Sequence, residues 1–299
     1  MFVPIHANTD TITGEEAAML LLEHHGIPAD SVDMRTVLDA LWIPCSDGWL
    51  SRENAVTAII RSYGVYPVGE VDHIWSDEAM QTYRSRVYID YGRRVGIIAG
   101  VGDNMFLPLD PVTRDDFNLM LAMADEAEIC PAYPIEYDDS LCMFLSADIQ
   151  RGMSLLPVYV TEKFLQSGWR VVATTHPLQC DGVTMDSQYI GCIIYAKKTI
   201  WIATYTADGC SHLRDTTIHE FGHYLGCKTK IIPRGRVQND LEWLISRRGR
   251  YCDTNDSEYF ADAFVEYITC PILAKSRMRD TYMHITECLG IMNDSSNMW

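Results

Sequence analysis

The stretch IHEFGHYLG, residues 218–226, decides how the rest of the chain is read. Two histidines stand four residues apart, and residues at that spacing lie on one face of a helix. His219 and His223 can therefore turn two imidazole nitrogens toward one metal ion. Glu220 follows the first histidine and is offset by about 100° around the helical wheel. Its carboxylate then lies beside the metal's open position without being a ligand. This is the H-E-x-x-H pattern, two zinc ligands and a general base. Asp215 is placed to cap the helix. Gly222 and Gly226 leave space around it.

Three fixed positions recur by chance, so the pattern needs a third ligand from elsewhere. NDSEYFADAFVEY, residues 255–267, supplies carboxylates in a helical, aromatic-rich context. Glu258 and Asp262 are again four apart and share a face. One can bind the metal while the other accepts the free ring N–H of a ligating histidine. Two histidines and a carboxylate, with the fourth position left to water, make an open zinc site rather than a closed structural one.

The whole chain allows such a site. It has 299 residues, 47% of them apolar, and a formal net charge of −17. A core of useful size can be buried, and one large or two medium domains fit the length. The negative balance argues against a nucleic-acid surface, which needs clustered Lys and Arg. It equally disfavours anionic membranes. The start, MFVPIHANTDTITGEE, lacks the basic and apolar regions of a secretory signal, and no run reaches the ~18 apolar residues of a membrane span. The expected location is cytoplasmic by default, with signal-less export as a toxin or effector the other route. The 10 cysteines include no C-x-x-C pair and read as reduced, mostly buried thiols.

Periodicity predicts helices over 13–26, 28–42, 51–64 (capped by Ser51), around 76–92, and over 110–128. RRVGIIAGVG (93–102) reads as a buried strand, with MFLPLDP (105–111) as its hairpin partner. CPAYPIEYDDS (130–140) is a Pro- and Asp-rich connector and marks a boundary. Beyond it, 159–168 reads as helix and 169–175 as strand. Residues 189–205 read as two strands joined at Ala196–Lys198, and the chain from about 237 on as mostly helical. No internal repeat is evident. Outside the central motif, His24 and His25 read as solvated or satisfied, and Asp47 and the acids of 124–128 as solvated faces. His73, His176 and His284 have no assigned role. His212 could line a cleft beside the helix. Arg247, Arg248 and Arg250 form a basic patch that could meet a substrate carboxylate or simply be a polar loop.

HEFGH followed by YCDTNDSEYFADAF resembles the catalytic domain of the lethal factor-like gluzincin peptidases. The match includes Tyr251, seven residues before Glu258, the run from Tyr259 through Phe264, and a strand lead-in such as CIIYAKKTIWIAT. It covers roughly residues 150–295 and is strongest at the two motifs. The resemblance implies a zinc endopeptidase with one Zn2+ held by His219, His223 and Glu258. It implies Glu220 as base, Tyr251 as hydrogen-bond donor to the oxyanion, and Asp262 as support for a ligand. Asp262 is shorter than the glutamate of lethal factor itself but usual in other gluzincins. The first half is more weakly similar to papain-like peptidases of the C39 type. Thr13 stands where their cysteine would be, and no histidine lies between 94 and 110, so the similarity implies a domain without that chemistry.

The resulting expectation is an α+β protein. A zincin-type domain at 150–299, with a small sheet, an active-site helix and a helical C-terminal part, follows a helical or α/β accessory domain at 1–135. Its partner is a protein or peptide substrate. The alternative is a non-catalytic binding protein stabilised by zinc.

Overall fold

The computed structural model describes residues 10–44, 48–180, 183–185, 190–204, 212–229 and 231–294. Asp47, Cys45 and Cys210 lie outside them, as do the first nine residues. The fold is mixed α+β. The chain divides into two compact units. One holds the described residues up to Tyr133 together with Tyr137–Gln150. The other holds Pro134–Glu136 and the described residues from Arg151 onward. No helix among the described residues is long and apolar enough to cross a membrane.

The first unit is helical. Its elements are α1 (Gly14–His24), α2 (Met34–Leu41), α3 (Arg52–Ser62), α4 (Arg86–Arg94), α5 (Arg114–Glu126) and α6 (Ser140–Leu145). One local pattern recurs three times: an apolar residue, a hydroxyl N-cap, then acid in the first turn. Thr13, Ser51 and Thr113 cap α1, α3 and α5, each accepting a bond from the amide three residues on. The residues flanking these caps form bridges with one another, Thr11 with Thr113, Thr13 with Trp49 and Ser51 with Pro111. The amide–carbonyl bonds Ile12 to Val112, Leu50 to Ile12 and Val112 to Leu50 gather the three helix starts at one place. Thr13, the position compared above with a catalytic cysteine, is thus a capping-box residue whose partner is Glu16.

The core of this unit includes Leu21, Leu22, Val37, Leu41, Ile59, Tyr88, Phe117 and Phe144, all buried. Arg61 is buried among them with every group matched. Its Nη2 donates to Asp148 at 2.7 Å, its Nη1 to the Tyr88 hydroxyl at 2.9 Å and its Nε to the Ala40 carbonyl at 2.6 Å. Its guanidinium also lies 4.0 Å from the centre of the Trp42 ring.

Three expectations for this half are corrected. Residues 93–102 do not form a strand. Helix α4 runs to Arg94, Gly96 turns the chain at φ 87°, and the Ile97 and Ile98 amides return to the Gly92 carbonyl. Of the apolar run only Ile97 and Ile98 are buried, behind a helix end, while residues 99–102 are exposed; periodicity cannot distinguish such a helix end from a short strand. Residues 105–111 are not its partner: the Phe106 and Leu107 amides bond the Asp77 carboxylate instead. The stretch 28–42 is not one helix. A 3-10 turn, Ala29–Ser31, precedes α2, which Asp33 caps through the Thr36 amide. The acids of 124–128 are also less idle than expected, since Asp125 bonds both Tyr63 and His24.

Helix α7 (Ala147–Leu155) carries the chain into the second unit, followed by α8 (Val158–Gln166). A four-stranded sheet takes the order β1 (Ile135–Tyr137), β2 (Arg170–Thr174), β6 (Thr199–Ala203), β5 (Gly191–Ile194). A separate two-stranded ribbon joins β3 (Gln179–Cys180) to β4 (Val183–Thr184). Strands β2 and β6 are parallel, while β5 and β6 form the antiparallel pair expected within 189–205, linked by a 3-10 turn, Tyr195–Lys197. Helices α9 (Leu213–Lys228), α10 (Gln238–Arg248), α11 (Asp256–Thr269), α12 (Pro271–Arg277) and α13 (Arg279–Asn293) complete the unit.

Helix α9 is buried on two sides. Phe221 and Tyr224 pack on Phe164 of α8, with ring centroids 4.6 and 5.0 Å apart. On the α11 side, a Cβ at Gly222 would lie 2.8 Å from the Ala261 backbone, so glycine lets the two helices touch.

Candidate metal centre

Each residue of the candidate site is held by an identifiable local cause. His219, Glu220 and His223 project from α9 at helical spacing. Glu258 sits in the first turn of α11, where the Asn255 side chain caps the Ser257 and Glu258 amides at 2.9 Å each. Asp262 follows one turn later on the same face. The close crossing at Gly222 and Ala261 brings the two faces together.

The result is a triangle of ligand-type atoms. His219 Nε2 and Glu258 Oε2 are 3.0 Å apart, the two histidine Nε2 atoms 3.1 Å, and His223 Nε2 and Glu258 Oε2 3.4 Å. Four-coordinate zinc, with bonds of ~2.0–2.1 Å, sets its ligand atoms about 3.3 Å apart. The three edges therefore have the size that one such ion would span. Among the described residues, His219, His223 and Glu258 are the group of this kind that could hold a metal ion.

The outward nitrogens are also occupied. His219 Nδ1 lies 2.9 Å from Asp262 Oδ1, and His223 Nδ1 lies 2.9 Å from Ser257 Oγ. Donating Nδ1–H to these oxygens leaves both Nε2 lone pairs aimed into the triangle, the tautomer a metal requires. Ser257 escaped the sequence reading because it faces His223 only across two helices. Asn255 did carry a signal, an asparagine three residues before a glutamate at a helix start.

Charge in the site is concentrated and dry. Burial opposes a charged His219, but hydrogen bonds with Asp262 and Glu258 and the charge of Glu220 outweigh it and lift the imidazole to about 10. Burial pushes Glu258 up, and its bonds to both histidines win, holding it down at about 2. Glu220 is raised, chiefly by burial, against the pull of the two histidines. Glu220 and Glu258, beside the two imidazoles, call for added positive charge. A divalent cation held there would meet that demand.

Glu220 is 5% exposed, and its Oε2 has no hydrogen-bond partner. A buried carboxylate oxygen without a partner is costly and points to a role beyond packing. Gly191, at the start of edge strand β5, closes on the same group: a Cβ there would lie 2.4 Å from Glu220 Oε1.

Two cavities flank this group. One, of about 620 Å³, is lined by residues including Gly191, His212, Glu220, Arg248 and Tyr251. The other, of about 240 Å³, includes Cys192, Tyr195, Glu220, Ser257 and Tyr251. Tyr251 borders both, is 48% exposed, and has its ring centroid 6.5 Å from that of His219. His212 does line the larger cavity.

Two features differ from the sequence reading. His212, not Asp215, is the N-terminal boundary residue of α9, and it makes no side-chain cap. Asp215 lies inside the first turn and instead accepts from Arg248 at 2.9 Å and Arg214 at 2.7 Å. The basic patch is likewise not a free loop. Arg247 and Arg248 end α10; Arg248 turns toward Asp215, while Arg247 pairs with Glu266 with its side chain 42% exposed. In comparison with known proteins, no protein-family model matches the sequence, and no curated protein matches it either.

Proposed function

We propose that the protein is a zinc-dependent endopeptidase whose second unit is a zincin-type domain of the lethal factor-like kind. His219, His223 and Glu258 would hold one zinc ion, with Asp262 and Ser257 orienting the two imidazoles. The observation that carries this reading is the triangle of 3.0, 3.1 and 3.4 Å edges beside a buried carboxylate oxygen with no partner.

When bound, zinc supplies Lewis-acid polarisation of the scissile carbonyl and a lowered pKa for the attacking water. Glu220 takes the proton of that water and delivers it to the leaving amine, a general base turned acid. Its burial strengthens this role, since a carboxylate with a raised pKa holds a proton more firmly near neutral pH. Tyr251, beside His219 and on the border of both cavities, offers its phenol O–H to the carbonyl oxygen as negative charge develops there. A peptide backbone laid between the two cavities reaches Glu220 from the side of Gly191. The first unit then serves to bind a substrate or partner.

The test pairs metal content with cleavage. Purified protein should contain one zinc per chain and generate new termini in a peptide library, while Glu220→Ala keeps the zinc and generates none. Stoichiometric zinc with identical termini from both proteins would instead favour a zinc-stabilised binding protein. Absence of zinc affinity would overturn both readings.

A further inference from the structure

We propose that Arg248 is a positioning residue for the metal centre, acting on His219 through Asp262. The inference rests on the zinc reading above and adds to it a residue that touches no ligand.

Arg248 stands on the last turn of α10, where a cation is favoured by the helix end. Its side chain is 21% exposed and faces three carboxylates on two other helices. Nη1 donates to Asp215 Oδ2 at 2.9 Å and lies 4.0 Å from Glu266 Oε1. Nε lies 3.8 Å from Asp262 Oδ1, the same oxygen that accepts from His219 Nδ1 at 2.9 Å. The first contact is a hydrogen bond and the other two are electrostatic.

The guanidinium therefore braces the helices that carry the ligands. Asp215 belongs to α9, four residues before His219. Asp262 and Glu266 belong to α11, on the turns after Glu258. Arg214 grips the other oxygen of Asp215 at 2.6 Å, so the anchor on α9 is itself fixed. Asp262 is 9% exposed, and without Arg248 its burial would be balanced by His219 alone, whereas Glu266, 2% exposed, would keep Arg247 at 3.2 Å. A displaced Asp262 would release the His219 ring, and ring orientation governs metal affinity. A planar fork reaching several carboxylates suits arginine; a lysine ammonium is a point charge and reproduces only part of it.

The experiment measures zinc affinity by competition with a chromophoric chelator, on the full chain. Arg248→Gln should weaken zinc about tenfold or more, the loss typical of outer partners of a ligand. Arg248→Lys should recover part of that. The deciding comparison uses Asp262→Asn as background. If Arg248 acts through Asp262, adding Arg248→Gln there should change affinity by no more than about twofold. Should Arg248→Gln fail to fold by circular dichroism, Asp215→Asn takes its place, removing the anchor on α9. Its loss of affinity should vanish in the same background. Equal losses in both backgrounds, or no loss in either, would overturn the proposal while leaving the zinc site intact. Wild-type protein without zinc affinity would overturn the zinc reading itself.

Discussion

Gly222→Ala tests whether the crossing of α9 and α11 sets the site. On an exposed helix surface this change stabilises by about 1 kcal/mol, because glycine is the poorer helix former. Here the added Cβ would lie 2.8 Å from the Ala261 Cα, 3.2 Å from the Ala261 carbonyl and 3.2 Å from Phe264 Cβ. Two of these are backbone atoms and cannot rotate away. Restoring ordinary contact at 3.4 Å requires about 0.6 Å of separation between the helices. Overpacking of this kind costs ~1–3 kcal/mol, so the net effect is destabilisation by roughly 0–2 kcal/mol once the propensity gain is set against it.

The consequence for the metal should be larger than for the fold. His219 and His223 flank Gly222 on one helix, and Glu258 lies three residues before Ala261 on the other. A shift of about 0.6 Å is substantial against the 3.0 Å and 3.4 Å edges that join the helices. Zinc affinity should fall at least about tenfold. Urea unfolding and chelator competition on the same preparation check both quantities. An alanine variant about 1 kcal/mol more stable, with unchanged zinc affinity, would refute the argument that this contact sets the ligand geometry.

Other expectations follow from other contacts. Gly191→Ala should leave zinc bound but sharply reduce cleavage, because its Cβ would lie 2.4 Å from Glu220 Oε1; metal analysis beside a peptide assay reads the two separately. Arg61→Leu should cost about 3–5 kcal/mol, since it removes one member of the buried ion pair with Asp148, and urea unfolding measures it. His25 is lowered to about 4 by burial, with the neighbouring His24 adding to the effect. The unfolded chain then takes up a proton near 6.5 that the folded chain refuses, so stability is complete above that pH and is lost as pH falls toward 4. Discounted for partial exposure, the loss is roughly 1–2 kcal/mol, and His25→Gln should abolish it in urea midpoints compared at pH 7 and 4.5.

What was legible in the sequence and what was not divide along one physical line. Helical period converts spacing into a shared face, so His219 with His223 and Glu258 with Asp262 could each be paired from the sequence. The apolar stretches 170–174, 191–194 and 199–203 are strands because they are long enough, and bounded clearly enough, to be buried in a sheet. Ser257 and Arg248 had no such pattern. Each is defined by what lies opposite on another helix, which spacing along the chain does not encode. The run at 93–102 failed differently: its Ile97 and Ile98 are buried as expected, but behind a helix end closed by Gly96. The threefold apolar–hydroxyl–acid pattern at Thr13, Ser51 and Thr113 was present in the residues, and each copy is a helix start. Nothing in a single copy says that three of them meet.

Charge explains how so acidic a cluster can be buried at all. Around the centre, Asp215, Asp262 and Glu266 face Arg214, Arg247 and Arg248, three charges against three. Glu220 and Glu258 remain, neither paired with an arginine among these contacts. Buried carboxylates cannot stay ionised without compensation. Two sources can provide it, protons on the histidines or a divalent cation. Protons on both Nε2 atoms would set two N–H groups 3.1 Å apart on rings at 83° to each other, where they repel. A single divalent ion would match the two remaining charges, use both nitrogen lone pairs, and leave the Nδ1–H groups to Asp262 and Ser257. On the proposed zinc reading the arginines do more than neutralise acids: by taking three of the five carboxylates, they leave the charge that one divalent ion would match.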